Sequence, residues 1–95
     1  MNNYELTVII SPDIAEENLP QTIDSLTQLI NKSKGQVTQT DQWGRRKLAY
    51  PIRHHGEGNY VILKVELDPS KAAELEGNLN ISEAFLRHLL IRLDN

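Results

Sequence analysis

The chain contains no cysteine, which excludes a disulfide framework and a thiolate metal site. It has no apolar run approaching the roughly 18 residues that cross a bilayer, and no cationic stretch followed by an apolar one near its first residue. We therefore expect a cytoplasmic protein with no signal peptide and no membrane partner. Its 95 residues allow one domain, residues 1–95, with little room for a deep catalytic cleft.

Positive charge is scarce in the whole chain but concentrated in its middle. The formal net charge is −3. Residues 1–30 contain five acids and neither lysine nor arginine, and residues 66–83 contain five acids and one lysine. Residues 42–65, by contrast, contain five lysines and arginines and one acid. This segregation predicts a basic surface on an acidic body, which favours a polyanionic partner over a small-molecule substrate.

The middle of the chain also breaks its own alternation of apolar residues. Val37 and Trp43 have odd numbers, whereas Leu48 and Ile52 have even ones, so a strand of strict period two cannot keep all four on one face. One extra residue near Gly44 would restore the alternation, and glycine is common at such bulges. We therefore predict one long, bent strand with these four side chains on the same face and a run of cations beside the bulge.

The rest of the pattern predicts the element order β-α-β-β-α-β. Strands are expected at about residues 4–10, 36–53, 59–67 and 84–93, with helices starting near Leu19 and at Pro69. The last segment fits helical spacing as well as strand alternation. A fourth strand would complete a split βαβ sandwich, so we assign a strand there. The predicted fold class is α+β, ferredoxin-like, with a four-stranded antiparallel sheet and two helices on one face.

The core is predicted from the apolar residues that recur at strand and helix periods. In the first and third strands these residues are Leu6, Val8, Ile10, Val61, Leu63, Val65 and Leu67. In the helices they are Leu19, Ile23, Leu26, Leu29, Ile30, Ala72, Leu75 and Leu79.

Local signals add three finer predictions. The run from Asp13 to Glu16 has the spacing of a capping box before the first helix. Gly35 suits the left-handed residue that follows a helix. Gly56 and Gly58 suit the unusual dihedral angles of a turn at residues 54–58.

Catalytic chemistry is not indicated. His54 and His55 are adjacent, so in a strand they would point to opposite faces and would not share a metal ion. His88 is distant in sequence. The run from Gly56 to Gly58 is too short for a phosphate-binding loop and is not followed by Lys-Ser or Lys-Thr. We therefore predict no catalytic residue, no metal site, no cofactor and no small-molecule substrate.

The candidate functional residues are cations and aromatics of the strands. Arginine and lysine can make charge-assisted contacts to phosphate groups. The candidate RNA-binding residues are Arg45, Arg46, Lys47, Arg53, His54, Lys64, Arg87 and Arg92. Trp43, Tyr50 and Tyr60 are candidates for base stacking or for contact with a partner. For Trp43 and Tyr50 the alternative is packing in the core or against the sheet.

The central nonapeptide, Gly44-Arg45-Arg46-Lys47-Leu48-Ala49-Tyr50-Pro51-Ile52, resembles the signature of the family of the sixth protein of the bacterial small ribosomal subunit. Further similarities to this family extend along nearly the whole chain: Tyr4-Glu5, Ser11-Pro12, Gly35, Gly58-Asn59-Tyr60 and Leu90-Ile91-Arg92. The resemblance implies a four-stranded, two-helix sandwich and a structural protein that is not an enzyme.

The resemblance also implies partners. Members of the family bind the central domain of small-subunit ribosomal RNA in the platform, as a heterodimer with ribosomal protein S-eighteen. Carried over by position, the resemblance implies RNA contact for Arg46, Lys47 and Arg53. Arg45 occupies a position that is not consistently basic in the family. Because net charge is −3, the protein alone is expected to bind RNA weakly, with a basic partner supplying the missing cations.

Other functions fit parts of the pattern. A general single-stranded RNA-binding module shares the architecture, but only Tyr60 supplies an outward aromatic on the third strand. An acylphosphatase-like hydrolase would need a phosphate-binding loop after the first strand, where the sequence is Ser11-Pro12-Asp13-Ile14. A ligand-sensing or oligomerising domain would form a stable homodimer.

Overall fold

The fold, a computed structural model that describes residues 1–93, is a four-stranded sheet covered on one face by two helices. The strands are β1 (Asn2–Ile10), β2 (Gln36–Ile52), β3 (His55–Leu67) and β4 (Phe85–Arg92), and the helices are α1 (Leu19–Lys32) and α2 (Ala72–Asn80). A short 3-10 helix precedes each α-helix, at Glu16–Asn18 and Pro69–Lys71. All strand pairs are antiparallel, in the order β2-β3-β1-β4. The predicted fold class is confirmed, and so is the strand assigned to the last segment.

The core lies between the sheet and the helices, as the alternation predicts. Alternate residues of β1 and β3 pair across the ladder on the helix side, and residues of both helices close over them. The fully buried members include Leu6, Val8, Ile10, Leu63, Leu67, Leu26, Ile30 and Leu75. Each such side chain contributes about 1.5–3 kcal/mol by leaving water.

The helix starts depend on proline and on one carboxylate. Pro20 lies in the first turn of α1, where its missing N–H costs nothing, so the regular helix begins only at Leu19. The predicted capping box is wrong: the backbone N–H of Asp13 instead donates to Ser11 Oγ at 3.2 Å. Before α2, Asp68 does cap the chain, since Oδ1 accepts from the Ser70 N–H at 2.9 Å.

The left-handed residue after α1 is Lys34, with φ of 63°, so the prediction for Gly35 is wrong. Gly35 serves close packing instead. A Cβ at this position would lie 3.0 Å from both Ile30 Cγ2 and Leu67 Cδ1. Glycine is therefore needed in the connection between α1 and β2, because a larger residue would push these core side chains apart.

The turn between β2 and β3 does not use the two glycines that the sequence offers. Its two central residues are Arg53 and His54, with φ of 49° and 69°, as tight two-residue hairpin loops require. Gly56 and Gly58 lie in β3 with ordinary dihedral angles, so that prediction is wrong. A Cβ on Gly58 would stand 2.5 Å from Ile9 Cγ2. Glycine is therefore required at this position because there is no space for a side chain, and not because the backbone needs an unusual dihedral angle.

The bulge predicted at Gly44 is present, with φ of 82° and a register shift between Gln42 and Gly44. The prediction that Val37, Leu48 and Ile52 share a face is nevertheless wrong. Two further shifts occur. One, between Val37 and Gln39, adds another extra residue before Leu48 and so cancels the effect of the Gly44 bulge on the alternation; the other, between residues 47 and 52, places three more residues in β2 than in β3. Val37 therefore packs against the core, whereas Leu48 and Ile52 lie on the helix-free face.

The β2–β3 hairpin is longer than the rest of the sheet. Pairing of β1 with β3 ends at Ile10 and Asn59, while β2 and β3 continue to the turn. Residues 45–58 therefore form a two-stranded projection, which we call the arm. None of the described helices is long and apolar enough to cross a membrane.

Candidate nucleic-acid interface

The arm gathers five of the eight candidate RNA-binding residues. Arg45, Arg46 and Lys47 lie at its base on β2, and Arg53 and His54 form its tip; all five are exposed. Because all five side chains are exposed, cations that alternate along this strand can all reach an outside partner.

Arg45 is occupied within the protein. Its Nη1 donates to Glu57 Oε1 at 2.7 Å, and its Nη2 donates to the carbonyl oxygen of Pro12 at 3.2 Å. The first contact crosses the arm, and the second ties the arm to the loop that follows β1. His55 Nε2 lies 3.6 Å from Asp13 Oδ2 and adds a second link to the same loop.

Arg46 lies against Trp43 at the bulge. Its guanidinium carbon is 5.5 Å from the centroid of the indole ring, within the range of a cation–π contact. Its Nε donates to the Trp43 carbonyl oxygen at 3.4 Å. The indole is 52% exposed, so Trp43 does not pack in the core. The pair presents a planar cation and an aromatic face side by side.

The arm's remaining cations are not neutralised by carboxylates. In residues 1–93, Arg45 is the one lysine or arginine that forms an ion pair with an acidic side chain. Arg46, Lys47 and Arg53 therefore keep their full charge available at the surface. Desolvating them against phosphate would break no internal salt bridge.

A groove lies where the end of β2 bends over the helix-free face. Its volume is about 300 Å³, and its walls include Leu48, Ile52, Ile9 and Tyr60. Tyr60 is thus half-buried beneath the bent strand. An aromatic in this position is covered and does not offer a flat stacking surface.

Tyr50 and Arg87 join the arm to the opposite edge of the sheet. Arg87 Nη1 donates to the Tyr50 hydroxyl, and its guanidinium carbon lies 5.9 Å from the phenol ring centroid. Tyr50 is 56% exposed, so it is not a core residue, although its side chain contacts Arg87 on the sheet. Through this contact Arg87 is drawn toward the arm.

Lys64 and Arg92 lie elsewhere. Lys64 pairs in register with Glu5 and Gln39 on the helix-free face, several residues from the arm. Arg92 pairs with Tyr4 near the far end of the sheet, on the helix side, about 17 Å along β4 from Arg87 by strand rise. With the amide of Asn2 turned so that its oxygen faces this side chain, Arg92 donates to it at 3.0 and 3.2 Å.

The sequence did not indicate that the loop after β1 contacts the arm. Pro12 and Asp13 contact side chains that lie more than thirty residues later in the chain. No local spacing encodes such contacts. Within residues 1–93, no group of three histidine or acidic residues is arranged to hold a metal ion.

Comparison with known proteins identifies the family. A family model described as Ribosomal protein S6 matches residues 3–92. The chain is 42% identical over 94 residues to a small ribosomal subunit protein bS6 of Moorella thermoacetica, covering 99% of this chain and 96% of that protein. It is 40% identical over 95 residues to its counterpart in Caldanaerobacter subterraneus subsp. tengcongensis, covering all of both chains.

A solved structure gives the same answer. The fold matches the crystal structure of 30S ribosomal protein S6 from Thermotoga maritima with a TM-score of 0.87 and 27% identity. The match covers 96% of this chain and 86% of that one. The chain therefore belongs to the ribosomal protein S6 family of the small ribosomal subunit.

Proposed function

We propose that this small-subunit protein binds the central domain of small-subunit ribosomal RNA in the platform, as a heterodimer with ribosomal protein S-eighteen. The observation that carries the proposal is the arm, whose cations Arg46, Lys47 and Arg53 are exposed and form no ion pair with a carboxylate. It presents positive charge along an extended edge, which suits the repeating charge of a nucleic acid backbone.

The arm also supports a geometry for RNA contact. The guanidinium of Arg46 can donate two parallel hydrogen bonds to one phosphate, which an ammonium group cannot do. Trp43 lies beside it and is half-exposed, so an unpaired base near that phosphate can stack on the indole. Lys47 adds a point charge on the neighbouring position of β2.

The charge balance supports a shared site. The chain carries a net charge of −3, and within residues 1–93 the exposed cations cluster on the arm. Few neutralised phosphates mean weak affinity at physiological salt. A basic protein bound alongside would add cations to the same RNA surface, and the heterodimer would bind more tightly than either chain alone.

The structure disfavours the other RNA-binding mode. A general single-stranded RNA module stacks bases on aromatics of the open sheet face. Here Tyr60 is half-buried below the bent end of β2, and Tyr50 is engaged with Arg87. The hydrolase alternative is also disfavoured, since the loop after β1 presents the Pro12 carbonyl and the Asp13 carboxylate toward the arm.

A salt titration tests the proposal. Binding to a central-domain fragment of small-subunit ribosomal RNA is measured with and without S-eighteen. We expect tight, strongly salt-dependent binding only with the partner present. Equal affinity of the free protein and the heterodimer, or no binding in either case, would overturn it.

Matched variants assign the contact to the arm. Arg46→Ala and Lys47→Ala should each lower RNA affinity of the heterodimer and reduce the salt slope by about one. Lys32→Ala, which removes an exposed cation at the end of α1, should leave both unchanged. A slope that does not change in the arm variants would remove these residues from the RNA contact.

A further inference from the structure

The arm receives little support from the backbone of the sheet. Within residues 1–93, β1 pairs with β3 only as far as Asn59, so the arm has only the ladder between β2 and β3. That ladder is irregular between Lys47 and Ile52. A two-stranded hairpin by itself is marginally stable at best in water. The direction in which the arm leaves the sheet therefore depends on side-chain contacts outside its own ladder.

Two of these contacts come from the loop after β1. The Pro12 carbonyl oxygen accepts from Arg45 Nη2 at 3.2 Å, and Asp13 Oδ2 lies 3.6 Å from His55 Nε2. Arg45 also donates to Glu57 Oε1 at 2.7 Å, so one guanidinium connects both strands of the arm to the loop. The loop thus contacts the arm at its base on β2 and again directly after its tip on β3.

The loop itself is fixed to the body of the protein. Ser11 is buried, and its N–H donates to the carbonyl oxygen of Ala84, just before β4, at 2.8 Å. Ser11 Oγ accepts from the Asp13 N–H, and the Ser11 carbonyl oxygen accepts from the Ile14 N–H, both at 3.2 Å. The side chain of Ile14 packs against the core. An arm that contacts this loop is therefore held to the body of the protein.

The contacts with the loop lie next to the candidate RNA-binding residues. Arg45 pairs with the buried Asn59 and faces the loop on the helix side of the sheet, so the neighbouring Arg46 points to the opposite face. At the other end of the arm, His54 directly precedes His55. Each contact with the loop thus fixes the backbone one residue away from a side chain that is a candidate for RNA contact.

We propose that the loop after β1 fixes the direction of the arm, and that Asp13 and Glu57 are positioning residues for RNA binding that do not themselves contact RNA. The inference rests on the proposed function, since it concerns the arm that is assigned to RNA there. An arm that moves freely loses that freedom when it binds, which lowers affinity, whereas an arm already held in place does not. The two carboxylates therefore raise affinity without adding a phosphate contact.

The sign of the charge separates this role from simple electrostatics. The side chains of Asp13 and Glu57 are 79% and 46% exposed, and each carries a carboxylate beside the cations of the arm. A carboxylate near a phosphate-binding surface repels RNA, so if charge alone mattered, its removal would strengthen binding. If the carboxylate holds the arm in place, its removal weakens binding. The two roles thus predict changes of opposite sign.

Binding of the heterodimer with S-eighteen to a central-domain RNA fragment, measured at several salt concentrations, tests the proposal. Asp13→Ala and Glu57→Ala should each weaken RNA affinity by about threefold or more. The salt slope should stay unchanged, because no phosphate contact is lost. Glu17→Ala is the matched control, since it removes an exposed carboxylate from the 3-10 helix that follows the same loop. It should not weaken affinity. Asp13→Glu keeps the carboxylate and should bind RNA more tightly than Asp13→Ala.

Three further measurements distinguish positioning from a general loss of structure. The urea midpoint of Asp13→Ala and Glu57→Ala should stay near that of the wild type, because exposed ion pairs contribute little to stability. Their affinity for S-eighteen without RNA should also be unchanged. Amide hydrogen exchange in the free protein should become faster in residues 45–58 and stay unchanged in residues 61–67, where β3 pairs with β1. Unchanged exchange in the arm would overturn the proposal.

The outcomes separate the two proposals. Failure of the wild-type heterodimer to bind the RNA fragment would overturn the proposed function and the positioning role with it. Wild-type binding that is matched or exceeded by both Asp13→Ala and Glu57→Ala would overturn the positioning role alone. An equal loss of affinity in Glu17→Ala, or a loss of S-eighteen binding in the two arm variants, would likewise overturn the positioning role and leave the proposed function standing.

Discussion

Arg45 donates to Glu57 across 2.7 Å, from the base of the arm's first strand to its second. Both side chains are nearly half-exposed, at 44% and 46%, so solvent screens the pair. We expect a double-mutant cycle with Arg45→Ala and Glu57→Gln to give a coupling energy below about 1 kcal/mol in urea unfolding. The pair positions the arm more than it stabilises the fold.

The same contact predicts a difference between neighbouring arginines in RNA binding. Arg45→Ala should leave the salt slope of heterodimer binding unchanged, because its charge is already balanced by Glu57. Arg46→Ala should lower the slope by about one. If Arg45→Ala lowers the slope as much, Arg45 exchanges its carboxylate for a phosphate on binding.

Gly58 predicts a steric cost that Gly56 does not share. A Cβ at Gly58 would stand 2.5 Å from Ile9 Cγ2, whereas a Cβ at Gly56 would meet nothing within 4 Å. Gly58→Ala should therefore destabilise the protein by roughly 1–3 kcal/mol through overpacking. Gly56→Ala should stay within about 0.5 kcal/mol of wild type.

Relief of the clash tests that explanation. Ile9→Ala removes the atom that the new methyl would strike. In the double variant with Gly58→Ala, the loss of stability in urea should be smaller than the sum of the two single losses. Strict additivity would show that Gly58 is required for another reason.

The fold could be predicted from the sequence because its signals are local. Alternation in β1 and β3 and the apolar stripe of α1 specify which faces meet, and the core of the structure follows them. The predictions for Gly35 and Gly58 failed because each glycine is required by a side chain that is distant in sequence, Leu67 for Gly35 and Ile9 for Gly58. A steric requirement that depends on a residue far away in the chain cannot be recognised from the neighbouring sequence.

The site could be predicted only in part, for the same reason. The cations that cluster in the sequence lie on the arm, as predicted. Which other cations lie near the arm depends on strand geometry, which the sequence does not show. Strict alternation would place Phe85 and Arg87 on one face, yet the irregularity in the β1–β4 ladder buries Phe85 and turns Arg87 to the helix-free face. Membership in the ribosomal family confirms the resemblance, the ribosomal location and the absence of an enzymatic role.

His54 holds a left-handed conformation that glycine would adopt without strain. Its φ is 69°, and Lys34, at the end of α1, has φ of 63°. Replacing either residue by glycine should raise the free energy of unfolding by roughly 1 kcal/mol, measured in urea. The two substitutions serve as matched controls for each other, since one lies at the arm tip and the other does not.

Their effects on RNA binding should differ. His54→Gly removes a polar side chain from the arm tip and should weaken RNA binding by the heterodimer. Lys34→Gly should leave it unchanged. If both variants gain stability and neither loses affinity, the His54 side chain does not contact RNA.

Asp68, which caps the 3-10 helix before α2, makes the stability of the protein depend on pH. The backbone N–H and the hydroxyl of Ser70 both donate to its Oδ1 at 2.9 Å, and these hydrogen bonds lower the pKa of the carboxyl group. Because the folded pKa lies below the unfolded one, the carboxylate contributes stability at neutral pH. That contribution is lost as the pH falls through the lowered pKa.

Comparison of wild type with Asp68→Asn isolates this contribution. The amide oxygen of asparagine can still accept from Ser70, but it carries no charge to titrate. In urea unfolding, the wild type should be the more stable protein at neutral pH, and the difference should vanish as the pH is lowered from about 5 toward 2. Asp68→Ala lacks the acceptor, so it should be less stable than Asp68→Asn throughout that range. A difference between wild type and Asp68→Asn that is independent of pH would mean that the charge of the cap does not stabilise the 3-10 helix before α2.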